Sequence, residues 1–370
     1  MVMKGCKEVA LAKMSFPKAP LVLLDGEKAD RKSVGNAFAC YSYSPERRIV
    51  CVTSANSCLG AHLAKKLLAR GYLVRVTIQN PGNYEDMKEL LNEEEISQLE
   101  SVVVAKMGDV ESLCDAFRGC HGIFHTSAFI DPRGISGYTE RMAFLEAEGA
   151  RNVIEACGRA AYSKRCIFTS SLLATFWKGD ENDTGQVKVD EGCWSDEDFC
   201  RENKLWLALG KTRAEKVAWR KARELKVNLV TLCPSLLMAP SFPNALVETS
   251  IPYLKGGQIM FRRGVLATED VNEMAETHAG VYQDMDYGAC GRYICYGKII
   301  TRLEEAIQLE SSLKMHGLLS GETAGQLVSG EADGIPPNLT NSKLTKLLDR
   351  ASRRVSCHPS QSLLTSKFLT

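Results

Sequence analysis

The sequence predicts an α/β fold, a doubly wound parallel sheet with a smaller C-terminal lobe. Three observations carry that expectation. Short β-branched runs alternate with helix-period segments from residue 48 to about residue 236. The first run, its turn, a helix and a second run close one strand–helix–strand unit within about 30 residues. The turn inside that unit is made of small residues and opens directly into a helix. At 370 residues, 45% hydrophobic and 25% charged, the chain has enough apolar material for about two domains, or for one large α/β domain with additions.

In chain order, residues 48–53 (RIVCVT) read as a buried strand. Leu63, Ala64, Leu67 and Leu68 then recur at helical spacing, up to Gly71 as a C-terminal cap. Residues 73–78 form the second strand. Further strands are expected at 102–105, 122–125, 166–169 and 227–232, with helices at 146–160 and 205–225 between them. A parallel sheet covered on both faces binds ligands beyond the carboxyl ends of its strands. The chain therefore divides into a poorly ordered extension at 1–45, a dinucleotide-binding domain at 46–235, a substrate-side lobe interleaved with the sheet at 236–319, and a loop with a basic C-terminal tail at 320–370.

Composition excludes several classes. Forty-six basic against 45 acidic residues leave a charge of +1, which gives no support for nucleic-acid binding. No apolar run reaches about 18 residues, so no membrane span is expected. The 14 cysteines include no Cys-x-x-Cys pair, so reduced thiols are expected rather than a structural metal. Lys4, Lys7, Glu8 and Lys13 interrupt any secretory segment, which points to a cytoplasmic protein and makes the Asn-x-Ser/Thr triplets at Asn182 and Asn338 chance matches.

The turn at 53–60 is TSANSCLG. A dinucleotide-binding turn wants glycines for the bend, for close approach to pyrophosphate and for helix packing. Only the packing glycine, Gly60, is present; Ser54 and Ser57 hold the other two places, and the helix N-terminus beginning with Cys58 and Leu59 offers N–H groups to an anion. A merely structural turn is the alternative. The second strand ends in Gln79, which fits neither the acid that favours NAD nor the arginine that favours NADP; the missing acid tips the expectation to NADP. Asp109, before Val110, has two open readings, a contact to the adenine amino group or a helix N-cap. Arg262 and Arg263 read as an anion contact in the lobe or as a solvated pair.

The segment 189–200 (VDEGCWSDEDFC) resembles a stretch found in the extended short-chain dehydrogenase/reductases of plants, in the cinnamoyl-CoA reductase and dihydroflavonol reductase group. Supporting stretches are 119–126, 146–157, 167–171 and 291–295, and the likeness runs from about residue 48 to residue 297. Within that group the chain is similar to the divergent cinnamoyl-CoA reductase-like branch. The resemblance implies a Rossmann-type sheet, NADPH, and hydride transfer to a small carbonyl substrate such as a phenylpropanoid or CoA ester. It also implies a serine–tyrosine–lysine set in which tyrosine gives the proton and lysine holds the nicotinamide ribose.

By that resemblance the serine falls on Ser171, with Ser170 as the alternative, and the lysine on Lys211. Thr126, Ser127 and Pro234 become nicotinamide-side neighbours. The tyrosine belongs four residues before Lys211, and that position is Leu207. There is no tyrosine between Tyr162 and Tyr253; Tyr84 and Lys88 have the spacing but lie in the wrong part of the fold. Leucine has no proton to give, so impaired chemistry is expected, or else a catalytically silent relative that binds a nucleotide or metabolite and acts through a partner protein. Lys211 has a plainer alternative, a stem laid on the core with its head in water. His125 reads as a core histidine, and Trp194 and Trp206 as packing aromatics.

Overall fold

The computed structural model describes residues 48–126, 138–179, 188–239, 253–315 and 334–357. The extension at 1–45, Ser127, Asn182 and the loop at 320–333 lie outside the described residues.

The six expected strands all form. They are β1 (Ile49–Val52), β2 (Leu73–Ile78), β3 (Ser101–Val104), β4 (Gly122–His125), β5 (Arg165–Thr169) and β6 (Asn228–Pro234). A seventh, β9 (Gly291–Cys295), joins them in the parallel order β3-β2-β1-β4-β5-β6-β9. The order reverses beside β1, where β2 lies on one side and β4 on the other. That switch opens a crevice at the strands' carboxyl ends. Val50, Val52, Val74, Val76 and Ile123 are almost wholly buried because helices cover both faces.

Helix α1 (Cys58–Ala69) and helix α9 (Val271–Asp284) cover one face. Helix α1 ends before Gly71, whose φ of +80° supplies the left-handed turn that glycine takes freely. Helices α4 (Val110–Phe117), α5 (Glu140–Ala160) and α7 (Trp206–Leu225) cover the other. Helices α5 and α7 pack along each other, so a residue on the facing side of α5 can meet one on α7. The short helices α2 (Asn83–Leu90), α3 (Glu93–Ser97) and α6 (Glu197–Glu202) bridge loops.

Between β6 and β9 the chain leaves to build a second sheet. Strands β7 (Leu236–Met238) and β8 (Ala267–Asp270) run parallel, and β10 (Lys298–Ile299) pairs antiparallel with β8. Helices α8 (Gly257–Arg262) and α10 (Leu303–Met315) contribute to its own apolar cluster. The basic tail is more than an appendage. Helix α11 (Ser342–Cys357) buries Leu344 and Leu347 in the core under α9, and Lys343 donates to the carbonyls of Cys290 and Arg292 beside β9. Among the described residues no helix is long and apolar enough to cross a membrane.

Candidate active site

The site is built from the carboxyl ends of β1, β4, β5 and β6. After β1 the backbone turns at Ser54, whose φ of +54° lies in the left-handed region. The Ser54 N–H donates to Thr77 Oγ1, which helps hold this strained residue. Ser57 then caps α1: its Oγ accepts from the Gly60 N–H at 3.1 Å and donates to the Ser54 carbonyl at 2.8 Å. A Cβ on Gly60 would stand 2.4 Å from the Ser54 carbonyl oxygen and 2.8 Å from Ser57 Oγ. The turn therefore folds onto the helix only because residue 60 is glycine. By helix geometry the N–H groups of Cys58 and Leu59 have no carbonyl in the helix to bond, so they remain for an anion. Asn56 Oδ1 is buried in the same turn without a hydrogen-bond partner.

These features fit a dinucleotide: a glycine-packed turn, a helix N-terminus and an orphaned polar atom beside it. Gln79 follows β2, half-buried and uncharged. Asp109 is exposed and caps α4, accepting from the Glu111 N–H at 3.1 Å, ahead of Val110. Of its two readings the cap is the one occupied. Thr126 is tied to β1, its N–H donating to Thr53 Oγ1 and its hydroxyl to the Thr53 carbonyl. Pro234 is buried at the end of β6, paired in register with Cys295.

Ser170 and Ser171 follow β5 but face different partners. Ser170 Oγ donates to Glu215 Oε2 at 2.7 Å inside the core. Ser171 caps the 3-10 turn Leu172–Ala174, accepting from the Leu173 N–H at 3.2 Å. Helix α7 packs on that turn and carries Leu207 and Lys211 one turn apart.

The plainer alternative for Lys211 does not hold. Its head is not in water: residue 211 is 8% exposed, and Nζ meets Glu146 Oε1 at 2.6 Å. The buried pairing compensates both charges; removing one partner of such a pair costs about 3–5 kcal/mol. A phenol joins this pair. Tyr138, just before α5, donates its hydroxyl to Glu146 Oε2 at 3.0 Å. It fits there because Gly210 has no side chain: a Cβ would lie 3.1 Å from that hydroxyl. Burial and the Glu146 carboxylate push the Tyr138 phenol well above its usual range, so it keeps its proton at neutral pH. His125, at the end of β4, shares a hydrogen bond with Thr53 Oγ1. Burial holds its imidazole down to about 4, with opposing contributions from Glu146 and Lys211.

Sequence reading misses Tyr138 and Glu146. Met142, Ala143, Glu146, Gly149 and Ala150 are the buried stripe of α5, so a carboxylate within that stripe is the signal that marks Glu146. The Tyr84 and Lys88 pair lies on α2 at the surface, where Lys88 bonds Glu85.

The segment 189–200 turns out to be an anchor. Arg292 of β9 lies 3.7 Å from the Trp194 ring centroid and donates to the carbonyls of Glu191 and Cys193. The same guanidinium forms a fork with buried Glu215, which also accepts from Ser170 and Thr231. Trp206 is half-buried at the start of α7. Arg263 turns to the carbonyls of Phe176 and Lys178.

The chain matches the 3-beta hydroxysteroid dehydrogenase/isomerase family over residues 51–216. It is 36% identical over 262 residues to cinnamoyl-CoA reductase 1 of Petunia hybrida, covering 69% of this chain and 74% of the relative. Among solved structures, vestitone reductase from alfalfa (Medicago sativa) has a TM-score of 0.57 at 24% identity, covering 83% of this chain and 98% of that one. The yeast methylglyoxal/isovaleraldehyde reductase Gre2, solved with NADPH, has a TM-score of 0.60 at 19% identity, covering 85% and 99%. The sequence identity decides the matter that the sheet order and the turn at 53–60 had raised: the chain belongs to the cinnamoyl-CoA reductase and dihydroflavonol reductase family of extended, NAD(P)-dependent short-chain dehydrogenase/reductases.

Proposed function

We propose that this protein is a cytoplasmic, NADPH-dependent reductase of a carbonyl or CoA-thioester carbon, slowed because Leu207 stands where the family has its tyrosine. The observation that carries the reading is the buried Lys211 ammonium, set on the helix that packs against the turn after Ser171. When bound, the reduced nicotinamide supplies a hydride. The α1 N-terminus at Cys58 and Leu59, with Ser54, Ser57 and Gly60 shaping it, takes the pyrophosphate. Gln79 meets the adenosine ribose without repelling a 2′-phosphate, which is the argument for NADP. Asp109 and Val110 flank the adenine, Thr126, Ser127 and Pro234 flank the nicotinamide, and Lys211 takes its ribose. Ser171 binds the carbonyl oxygen. The substrate is a small molecule, a phenylpropanoid or CoA ester, taken on the side of the C-terminal lobe.

A second reading, a silent nucleotide- or metabolite-binding relative acting through a partner protein, draws on Leu207 and on the Glu146 carboxylate already holding Lys211. Loss of a positioned general acid costs about a hundred- to ten-thousandfold in rate. The test is an NADPH fluorescence titration followed by cofactor oxidation with cinnamoyl-CoA and simple aldehydes, on the unsubstituted protein and on Leu207→Tyr. Slow turnover that rises at least tenfold in Leu207→Tyr is expected. Binding without turnover in either protein supports the silent reading. Failure to bind NADPH or NADH removes both.

A further inference from the structure

We propose that Tyr138 supplies the proton that Leu207 cannot, as the end of a Lys211–Glu146–Tyr138 relay. The inference rests on the reductase reading and adds a donor to it. The three groups form a continuous line: Nζ to Oε1 at 2.6 Å, then phenol oxygen to Oε2 at 3.0 Å. The phenol stands against Gly210, three residues along α7 from Leu207, so it approaches the helix face where the missing tyrosine would stand. Tyr138 packs against the same apolar cluster that holds Leu207, Leu172 and Leu173, and the latter two follow Ser171 directly. Among the described residues the titratable groups on this line include its three members, from α7, α5 and its lead-in, and His125 from β4, which feels both Glu146 and Lys211.

A simple helix-docking bond would need only a hydroxyl and an acceptor. Here the acceptor is a carboxylate shared with an ammonium, which can carry a proton onward. Once the carbonyl carbon has taken its hydride, the C=O π pair resides on oxygen. That oxygen forms an O–H bond with the Tyr138 proton as the phenol O–H bond breaks. Lys211 Nζ gives a proton to Glu146 Oε1, and the carboxyl group then turns to pass that same proton to the phenolate. The resulting amine regains its proton from solvent water.

The experiment uses the full chain labelled with 3-fluorotyrosine, with the Tyr138 fluorine signal assigned by its loss in Tyr138→Phe. Adding NADP+ with cinnamaldehyde is expected to shift that signal, and Glu146→Gln is expected to shift it without ligand. In steady-state assays Tyr138→Phe should lower kcat by about a hundredfold. Glu146→Gln should also lower it, because an amide can accept the hydrogen bond yet passes no proton. In the Leu207→Tyr background Tyr138→Phe should change kcat by less than threefold, since the family phenol is restored. Turnover that survives Tyr138→Phe at more than a third of its rate overturns the relay and leaves the reductase reading standing. A fluorine signal that ignores NADP+ with cinnamaldehyde overturns the relay whether or not turnover is seen. Absence of dinucleotide binding overturns the reductase reading and the relay together.

Discussion

Gly60→Ala tests the cofactor cradle most directly. The added Cβ would lie 2.4 Å from the Ser54 carbonyl oxygen, where ordinary contact begins at 3.4 Å, so turn and helix must part by about 1 Å. Overpacking of this kind costs about 1–3 kcal/mol, and better helix propensity returns up to about 1 kcal/mol. Stability should therefore fall modestly, by a few degrees at most in a thermal melt. Binding should suffer more. Parting the turn displaces the Cys58 and Leu59 N–H groups from an anion, and one lost charge-assisted hydrogen bond is worth about 1.5–3 kcal/mol. That corresponds to about a ten- to hundredfold weaker Kd for NADPH. Fluorescence titration reads the affinity, and circular dichroism on the same sample reads the melt. A Kd within threefold of the unsubstituted protein would refute the assignment of this turn to the pyrophosphate.

Two further outcomes concern stability. Arg292→Met leaves the fully buried Glu215 carboxylate without its counter-charge and should cost about 3–5 kcal/mol in urea unfolding; the double variant Arg292→Met with Glu215→Leu should recover most of it, and a single-variant cost under about 1 kcal/mol would contradict the reading. Burial holds His125 and His278 at about 4, below an unfolded value near 6.5, so the unfolded chain binds those protons first. Their stabilising contribution is complete above pH 6.5 and lost as pH falls toward 4. Glu269, raised to about 7 by burial, acts oppositely: it destabilises above its folded value and ceases to do so as pH falls toward 4.5. Glu269→Gln should therefore steepen the loss of stability between pH 7 and 5, as measured by urea midpoints; an unchanged slope would count against these assignments.

The elements readable in the sequence are those whose evidence is local. All six β-branched runs became strands because a strand buried on both faces must be apolar along its length. Helix α7 is found within a residue of its expected start. Helix α5 begins at Glu140, six residues before the expected start at Glu146, since Thr139 caps it there and accepts from Met142. Gly60 was readable for the same reason, as a position fixed by a turn, whereas Leu207 stands out only through the resemblance, which puts a tyrosine four residues before Lys211. What escaped depends on distant partners. Strand β9 reaches β6 only after the chain has laid down β7 and β8 of the second sheet. Arg292 and Glu215 are 77 residues apart, and Glu146 meets Lys211 across 65. No periodicity records such meetings; they exist because α5 packs along α7 and β9 lies beside β6.

The clasp of Arg292 on Trp194 and Glu215 has a bearing on how such chains are recognised. The stretch around Trp194 is the most diagnostic in the sequence, yet its described contacts fasten a loop to β9, to α7 and to the carbonyls of Leu173 and Ala174, and none of these is a bond to Lys211 or to the Ser171 hydroxyl. A hallmark with that job certifies ancestry and leaves competence open. Proteins sorted into this lineage by that stretch alone can include working reductases and retired ones under the same banner, and the hydroxyls around the buried lysine are where the two must be told apart.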